Sequence, residues 1–482
     1  MTSTTTLTMI DGVRVVVPDS LDLITPYVLQ EQEDWFEDEI KFLRCLLQPG
    51  QKVIDVGANY GVYTLSMAKT VGPTGSVWAF EPASSTAKLL AEGVAANGFA
   101  QVVLERSALS SASGSAQISL HENSELNALV RDASLASASE TVPVVTLDEC
   151  MERYKWRDIE FMKIDAEGEE ANILRGGERF FAELSPLVQY EVKAGVEIYM
   201  GLVKRFASIG YASYRLVPGL DILVFYDSES TPDGYLLNLF CCKQDRVAQL
   251  AARGFLINPA DQRLTTEAER TKGILKKVNN HNTCDWRHTI AKLPYGIQLA
   301  NLWEQTIAEG NSEEVDEALF FYAISRDSSL SSTVRYGALE TSLNMLKNLC
   351  ESDPSYLRLS SLARVASDYG ARSLAVNALV QLIEAIQRHN QVDMREPFLV
   401  PGRQFDTVPP GKTIGAWVQA AVLEEFERLS SFSSYYSGVS ALQRLEIIRD
   451  LGFGSDEMAR RLNLIKQRFG MLDRAVQATQ QT

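Results

Sequence analysis

Between Lys52 and about Val192 the chain repeats short apolar runs, KVIDV, SVWAF, QVVLE, IEFMKI and PLVQYEV, with helix-like stretches between most of them. Strands separated by helices cannot pair through tight turns, so this pattern predicts a mostly parallel sheet covered by helices on both faces. The first run leads into the sharpest corner of the sequence, VIDVGANYGVYT at Val53–Thr64. Val53, Ile54 and Val56 supply a buried strand, and Asp55 stands where a carboxylate can orient the turn or the charged end of a ligand. Gly57 and Gly61 let a ligand approach the main chain closely, with Ala58, Asn59 and Tyr60 filling the turn between them. The arrangement is that of a nucleotide-cofactor loop, although the same spacing occurs at ordinary strand-to-helix corners.

Two further strand ends point to the same crevice. SVWAFEP at Ser76–Pro82 ends in Glu81, one βαβ unit downstream, where an acid can accept both hydroxyls of a ribose. The alternative role for Glu81 is to open the next helix before Pro82. IEFMKIDAEGEE at Ile159–Glu170 ends a strand in an acidic cluster. Side chains repeat every second residue along a strand, so Lys163 and Asp165 share one side and Glu167 lies just beyond. Glu191 closes the run LVQYEV and is expected to face the same space.

VIDVGANYGVYT, the FEP at Phe80–Pro82, MKIDAEGEE and ILRGG at Ile173–Gly177 resemble, in this order, the FkbM family of S-adenosylmethionine-dependent methyltransferases. The resemblance runs from about Trp35 to Cys242. It implies the class I methyltransferase sheet, S-adenosyl-L-methionine as cofactor, and methylation of hydroxyl oxygens, often on sugars or sugar-bearing natural products. It also implies that Ser107 lies near the adenine. The chain departs from the family at Ala166, where a larger apolar residue is more usual, and in the Ser- and Ala-rich stretch Ser107–Ser139.

Methyl transfer from a sulfonium is an in-line displacement, so the protein must align an acceptor oxygen and take up its proton. Asp165 is the leading candidate for that base or for a metal ligand, with Glu167 and Glu191 the other carboxylates expected nearby. Asp165 and Glu191 could hold a hard divalent cation such as Mg²⁺, against helix capping for Glu167 and a structural hydrogen bond for Glu191. Lys163 either holds Asp165 ionised, contacts the cofactor carboxylate, or forms a structural ion pair. Asn59 and Tyr60 could touch the methionine portion. The cofactor-binding set is then Asp55, Gly57, Ala58, Asn59, Tyr60, Gly61, Glu81, Ser107 and Asp165. A nicotinamide-dependent oxidoreductase is the competing enzyme class, but the turn lacks G-x-G-x-x-G spacing. A non-catalytic cofactor-binding scaffold is the third reading.

The 482 residues exceed what one core usually supports. The expected division is a methyltransferase domain at 1–260, a linker at 261–291 and an all-α, tetratricopeptide-like domain at 292–482. Apolar stripes at helical spacing carry the last assignment, among them Leu339–Leu343–Leu346–Cys350 and a hairpin over Leu362–Ile386 turning near Gly370. REPFLVPGRQFDTVPPGK at Arg395–Lys412 reads as an ordered surface crossing, or as a loop that binds a partner or reaches the active site.

A net charge of −16 without clustered Lys and Arg argues against nucleic-acid binding. The expected partners are a carbohydrate or hydroxylated small-molecule acceptor, and a second copy or protein partner through the C-terminal helices. No apolar run approaches a membrane span and no signal-peptide pattern opens the chain, which makes a cytoplasmic location the expectation. Six irregularly spaced cysteines read as reduced thiols. Residues before about Ile10 are expected to fray. His121 and Asn123 could meet a substrate, although a loop histidine usually faces solvent, and His281, Cys284 and His288 match no strong zinc spacing.

Overall fold

The computed structural model describes residues 3–130, 138–194, 197–198, 200–259, 286–310, 313–389, 392 and 394–471. The chain divides into two compact units. The first holds Met1–Leu216, Leu223–Pro232 and Leu236–Arg253, and the second holds Val217–Ile222, Asp233–Tyr235 and Gly254–Thr482.

In chain order the first unit begins with β1 (Thr4–Thr8), β2 (Arg14–Pro18), α1 (Ile24–Gln32), α2 (Asp38–Leu46), β3 (Lys52–Val56), α3 (Val62–Val71), β4 (Ser76–Phe80), α4 (Ser84–Asn97) and β5 (Val102–Glu105). An insert follows, β6 (Ala108–Leu109), β7 (Gly114–Ser119), β8 (Leu129–Val130) and β9 (Ser139–Val145), then α5 (Leu147–Tyr154), β10 (Phe161–Ile164), α6 (Glu170–Arg175), α7 (Glu178–Glu183) and β11 (Leu187–Glu191). The short pair β12 (Lys193–Ala194) and β13 (Glu197–Ile198) precedes α8 (Gly201–Ser208), β14 (Ala212–Val217), β15 (Ile222–Phe225), β16 (Asn238–Cys242) and α9 (Gln244–Ala252).

The main sheet has the order β15-β14-β16-β11-β10-β3-β4-β5. Strands β11, β10, β3, β4 and β5 run parallel, while β16 is antiparallel to both β11 and β14. This is the mostly parallel sheet that the alternating pattern predicts, in a Rossmann-like α/β arrangement that β16 closes antiparallel. The strands of the insert form a separate sheet in the order β6-β9-β7-β8.

The two faces of the sheet differ in chemistry. Ile54, Val56, Met162, Ile164, Val188 and Tyr190 share one apolar core with Trp156, Phe180 and Phe181. The intervening positions carry a polar row across the other face, because Asp55 pairs in register with Lys163 and Lys163 with Gln189. One step toward the carboxyl ends come Asp165, Glu191 and, opposite Glu191 on β16, Asn238.

One expectation is corrected at the N-terminus. Among the described residues before Ile10, Thr4–Thr8 forms a strand paired with Arg14–Pro18 over its whole length. The buried Val15, Val16 and Val17 give that pair an apolar face that the polar run TTTLT does not show by itself.

The second unit is helical over its described residues. Its longer helices are Pro294–Ala308, Glu313–Arg326, Ser332–Ser352, Tyr356–Tyr369, Arg372–His389, Ile414–Ser430 and Asp456–Arg468. Tyr356–Tyr369 ends at Gly370, whose φ of 87° supplies the left-handed cap before the next helix begins. The segment Arg395–Lys412 is a surface crossing only in part, since residues 397–402 are buried. Phe398, Leu399 and Val400 are at most 2% exposed, with Phe398 packed on Tyr295 and Trp303. Its main chain is held by Ser360, Ser361 and Arg364. Among the described residues Cys45, Cys150, Cys241, Cys242 and Cys350 form no disulfide, and no helix is long and apolar enough to cross a membrane.

Candidate active site

The glycine corner is tighter than sequence alone implies, and its space is taken up by the protein itself. Gly57 has φ +77°, and a Cβ there would lie 1.7 Å from the Asp165 carbonyl oxygen; at Gly61, φ +87°, it would lie 2.3 Å from Leu90 Cδ1. The missing side chains therefore admit the loop after β10 and helix α4. The N–H groups of Gly57 and Ala58 both donate to the Phe80 carbonyl, at 3.1 and 3.0 Å. Gly57 and Ala58 thus tie the end of β3 to β4 and to the loop after β10, and Gly61 lets α4 pack closely on the turn.

Asn59 is the pivot of the turn. Its backbone is left-handed, φ 49°, and its N–H donates to Glu81 Oε2 at 2.9 Å. Glu81 Oε1 accepts the Ala83 N–H at 2.9 Å, the helix-opening role considered for it. Each carboxylate oxygen has a second lone pair, so Glu81 keeps one acceptor site on each oxygen for a pair of hydroxyls. Burial raises its pKa to about 7, opposed by those two backbone bonds. Tyr60 is buried, and its hydroxyl is bonded to Ser124. Ser107 is buried at the end of β5, and its Oγ has no protein partner. An acid with two open acceptor positions and an unpartnered hydroxyl are donor and acceptor types that suit an adenosine.

Asp55 does not reach into the turn. It is fully buried and accepts the Thr64 hydroxyl at 2.5 Å, while its other oxygen has no partner. Burial raises its pKa, with the Lys163 charge pulling the other way. Lys163, itself 5% exposed, binds Asp165 Oδ2 at 2.6 Å and lies 4.8 Å above the Tyr63 ring. Its pKa is held well above the lysine value because the charges of Asp165, Asp55 and Glu37 outweigh desolvation.

Asp165, Glu167 and Glu191 converge, with one carboxylate oxygen from each lying within 4.8 Å of the others. Glu167 owes its place to a left-handed φ of 46°. Glu170 ties that loop by accepting from the Ala166 and Gly168 N–H groups at 3.2 and 3.1 Å. Desolvation first, then the Asp165 charge, raises the Glu167 pKa to about 7 and that of Glu191 to about 9.

Sequence reasoning passes over the residues beneath this cluster. The Tyr63 hydroxyl donates to Glu37 and accepts from Gln189 Nε2 at 3.3 Å. Gln189 was legible as the position two before Glu191 on the same strand face; Glu37, outside every motif, was not. His121 is exposed, and the Asn123 side chain accepts the Ile24 N–H. His281 and Cys284 lie outside the described residues, as does the His288 side chain.

A five-stranded parallel block closed by an antiparallel strand, with acids at the carboxyl ends of its central strands, defines a methyltransferase-type sheet. Residues 55–203 match the family model described as "Methyltransferase FkbM domain". None of the curated proteins matches the chain. Among solved structures, methyltransferase FkbM from Methylobacillus flagellatus KT is 17% identical, covering 41% of this chain and 45% of its own, with a TM-score of 0.28. A SAM-dependent methyltransferase from Aquifex aeolicus is 15% identical, covering 45% and 93%, with a TM-score of 0.27. A SAM-dependent O-methyltransferase from Thermotoga maritima is 15% identical, covering 50% and 77%, with a TM-score of 0.25.

Proposed function

We propose that this protein is an S-adenosylmethionine-dependent O-methyltransferase acting on a hydroxyl of a sugar, glycan or glycosylated metabolite. The observation that carries the reading is the convergence of Asp165, Glu167 and Glu191 beside the Asn59 turn. When bound, S-adenosylmethionine supplies an electrophilic methyl group. Glu81 accepts the two ribose hydroxyls with its open lone pairs, and Ser107 meets the adenine. Asp165 orients the acceptor hydroxyl and takes its proton as the oxygen–carbon bond forms and the sulfur–carbon bond breaks. Lys163 holds the Asp165 carboxylate in place. Glu191, protonated at neutral pH by its raised pKa, donates a hydrogen bond to a neighbouring hydroxyl, a pairing that favours an uncharged polyol over an anionic acceptor. A divalent cation such as Mg²⁺ would instead be held by Asp165 and an ionised Glu191, and Glu191 would then not donate that bond.

The test is a panel of glycans and hydroxylated metabolites assayed with methyl-labelled cofactor, with and without EDTA. Asp165→Asn is expected to bind S-adenosylhomocysteine like the parent and to lose about a hundredfold or more in turnover. Glu81→Ala is expected to weaken that binding by about 10- to 100-fold, the worth of charge-assisted hydrogen bonds. Parent-like turnover by both variants would refute the site. The division at 1–260, 261–291 and 292–482, and self-association or protein binding through the helices, belong to the same proposal; light scattering of the full chain reads the association.

A further inference from the structure

The insert β6–β9 takes no part in the chemistry above, yet it is bonded to both corners assigned to the cofactor. From its short helical turn Ser124–Leu126, the Ser124 hydroxyl donates to Asn59 Oδ1 at 2.8 Å. From β9, Glu140 Oε2 accepts the Ser84 N–H at 3.2 Å and the Ser84 hydroxyl at 3.0 Å. Ser84 opens α4 immediately after Glu81–Pro82–Ala83, where helix N–H groups lack intrahelical partners and the dipole favours a carboxylate. Between the two contacts Ala83 packs with Ala108, Ile118, Val142 and Val144 in one apolar cluster, so the insert is seated on this corner. The same turn is anchored to the N-terminal segment, with Asn123 accepting from Ile24 and Glu125 accepting from the Thr25 N–H and hydroxyl.

Asn59 connects these contacts to the ribose acid. Its side-chain oxygen is held by Ser124 while its N–H donates to Glu81 Oε2. A bond made by the insert is thereby passed through one residue to the carboxylate. Glu140 acts from the other side, fixing the corner whose Ala83 N–H donates to the second Glu81 oxygen.

The geometry points to the insert as a cofactor latch, in which Ser124 and Glu140 are positioning residues that set the Asn59 turn and the Ser84 corner, and through them Glu81. The inference rests on the reading of Glu81 as the ribose acid. Full-length parent, Ser124→Ala, Ser124→Thr and Glu140→Gln are titrated calorimetrically with S-adenosylhomocysteine, each with a thermal melt and a stopped-flow dissociation rate. Ser124→Ala should weaken binding about five- to tenfold, the scale of one lost hydrogen bond, and Glu140→Gln, which keeps an acceptor oxygen and loses only the charge at the helix N-terminus, about two- to fivefold. Dissociation should quicken by a similar factor with the melting temperature lowered by no more than about 6 °C, and Ser124→Thr should retain parental affinity. Adding Asn59→Ala to Ser124→Ala should cost less than Asn59→Ala costs in the parent, since Ser124 acts through that side chain. Affinities within twofold of the parent for both Ser124→Ala and Glu140→Gln, or a fall in melting temperature without a change in affinity, would overturn the latch. Glu81→Ala separates the two levels: parent-like binding by that variant brings down the site reading itself, whereas lost binding there with parent-like Ser124→Ala and Glu140→Gln brings down only the latch.

Discussion

Replacing Gly57 by alanine tests the corner on which the site depends, and Gly98 provides its control. Both glycines are left-handed, with φ of +77° and +69°. An L-residue in that region costs about 1–2 kcal/mol, offset by about 0.4–1 kcal/mol from the less flexible unfolded chain. At Gly98 a Cβ meets nothing within 4 Å, so Gly98→Ala should lose only that balance, about 1 kcal/mol. At Gly57 the Cβ would lie 1.7 Å from the Asp165 carbonyl oxygen, and a backbone atom cannot swing aside as a flexible side chain does. Forcing the two strand ends apart adds about 1–3 kcal/mol of overpacking, for a total of about 2–4 kcal/mol. At about 2–4 °C per kcal/mol for a unit of this size, Gly57→Ala should melt about 4–16 °C below the parent and Gly98→Ala about 2–4 °C below. Scanning calorimetry of the full chain measures both, the relevant transition being the one that S-adenosylhomocysteine raises. Equal losses in the two variants would show that the Asp165 carbonyl does not occupy the Gly57 space.

Lys163→Met removes the ammonium that faces Asp165, Asp55 and Glu37, and should cost about 3 kcal/mol at pH 8. Since burial already holds the Asp55 and Glu37 pKa values above the ordinary range, that loss should shrink as pH falls and these groups take up protons; a pH-independent loss in melting scans would refute the electrostatic account. For Glu191 the folded pKa of about 9 exceeds the ordinary 4.5, so the folded protein keeps a proton that the unfolded chain releases, and stability falls as pH rises between those values. Glu191→Gln should flatten the melting-temperature curve over that window, and superimposable slopes would contradict it. Phe398→Ala empties a fully buried site against Tyr295 and Trp303 and should destabilise the helical unit by about 3–5 kcal/mol, read by circular dichroism.

What the sequence makes legible is what local periodicity carries. The parallel strands, the shared side of Lys163 and Asp165, and the crevice-facing Glu191 all follow from alternation within a single strand. Contacts set by chain segments far apart are not legible in this way. Strand β1 is a run of threonines whose pairing comes from β2, the space at Gly57 is filled from 108 residues downstream, and Glu37 meets Tyr63 only once α2 and α3 are packed. The Pro- and Gly-rich composition of Arg395–Lys412 resembles an exposed crossing because proline and glycine signal irregular backbone, and irregular backbone is usually solvated. Here Ser360, Ser361 and Arg364 bond the Leu399 and Val400 main chain instead, so this part of the segment can be buried without losing its hydrogen bonds.

That buried crossing governs how this protein can be cut. A boundary drawn at the prolines would strip aromatic filling from one fragment and leave the other with an apolar tail, so neither piece should be recovered soluble. Proteases should likewise spare Phe398–Val400 in the native chain, despite a composition that invites cleavage, and fusion tags or inserted domains belong elsewhere.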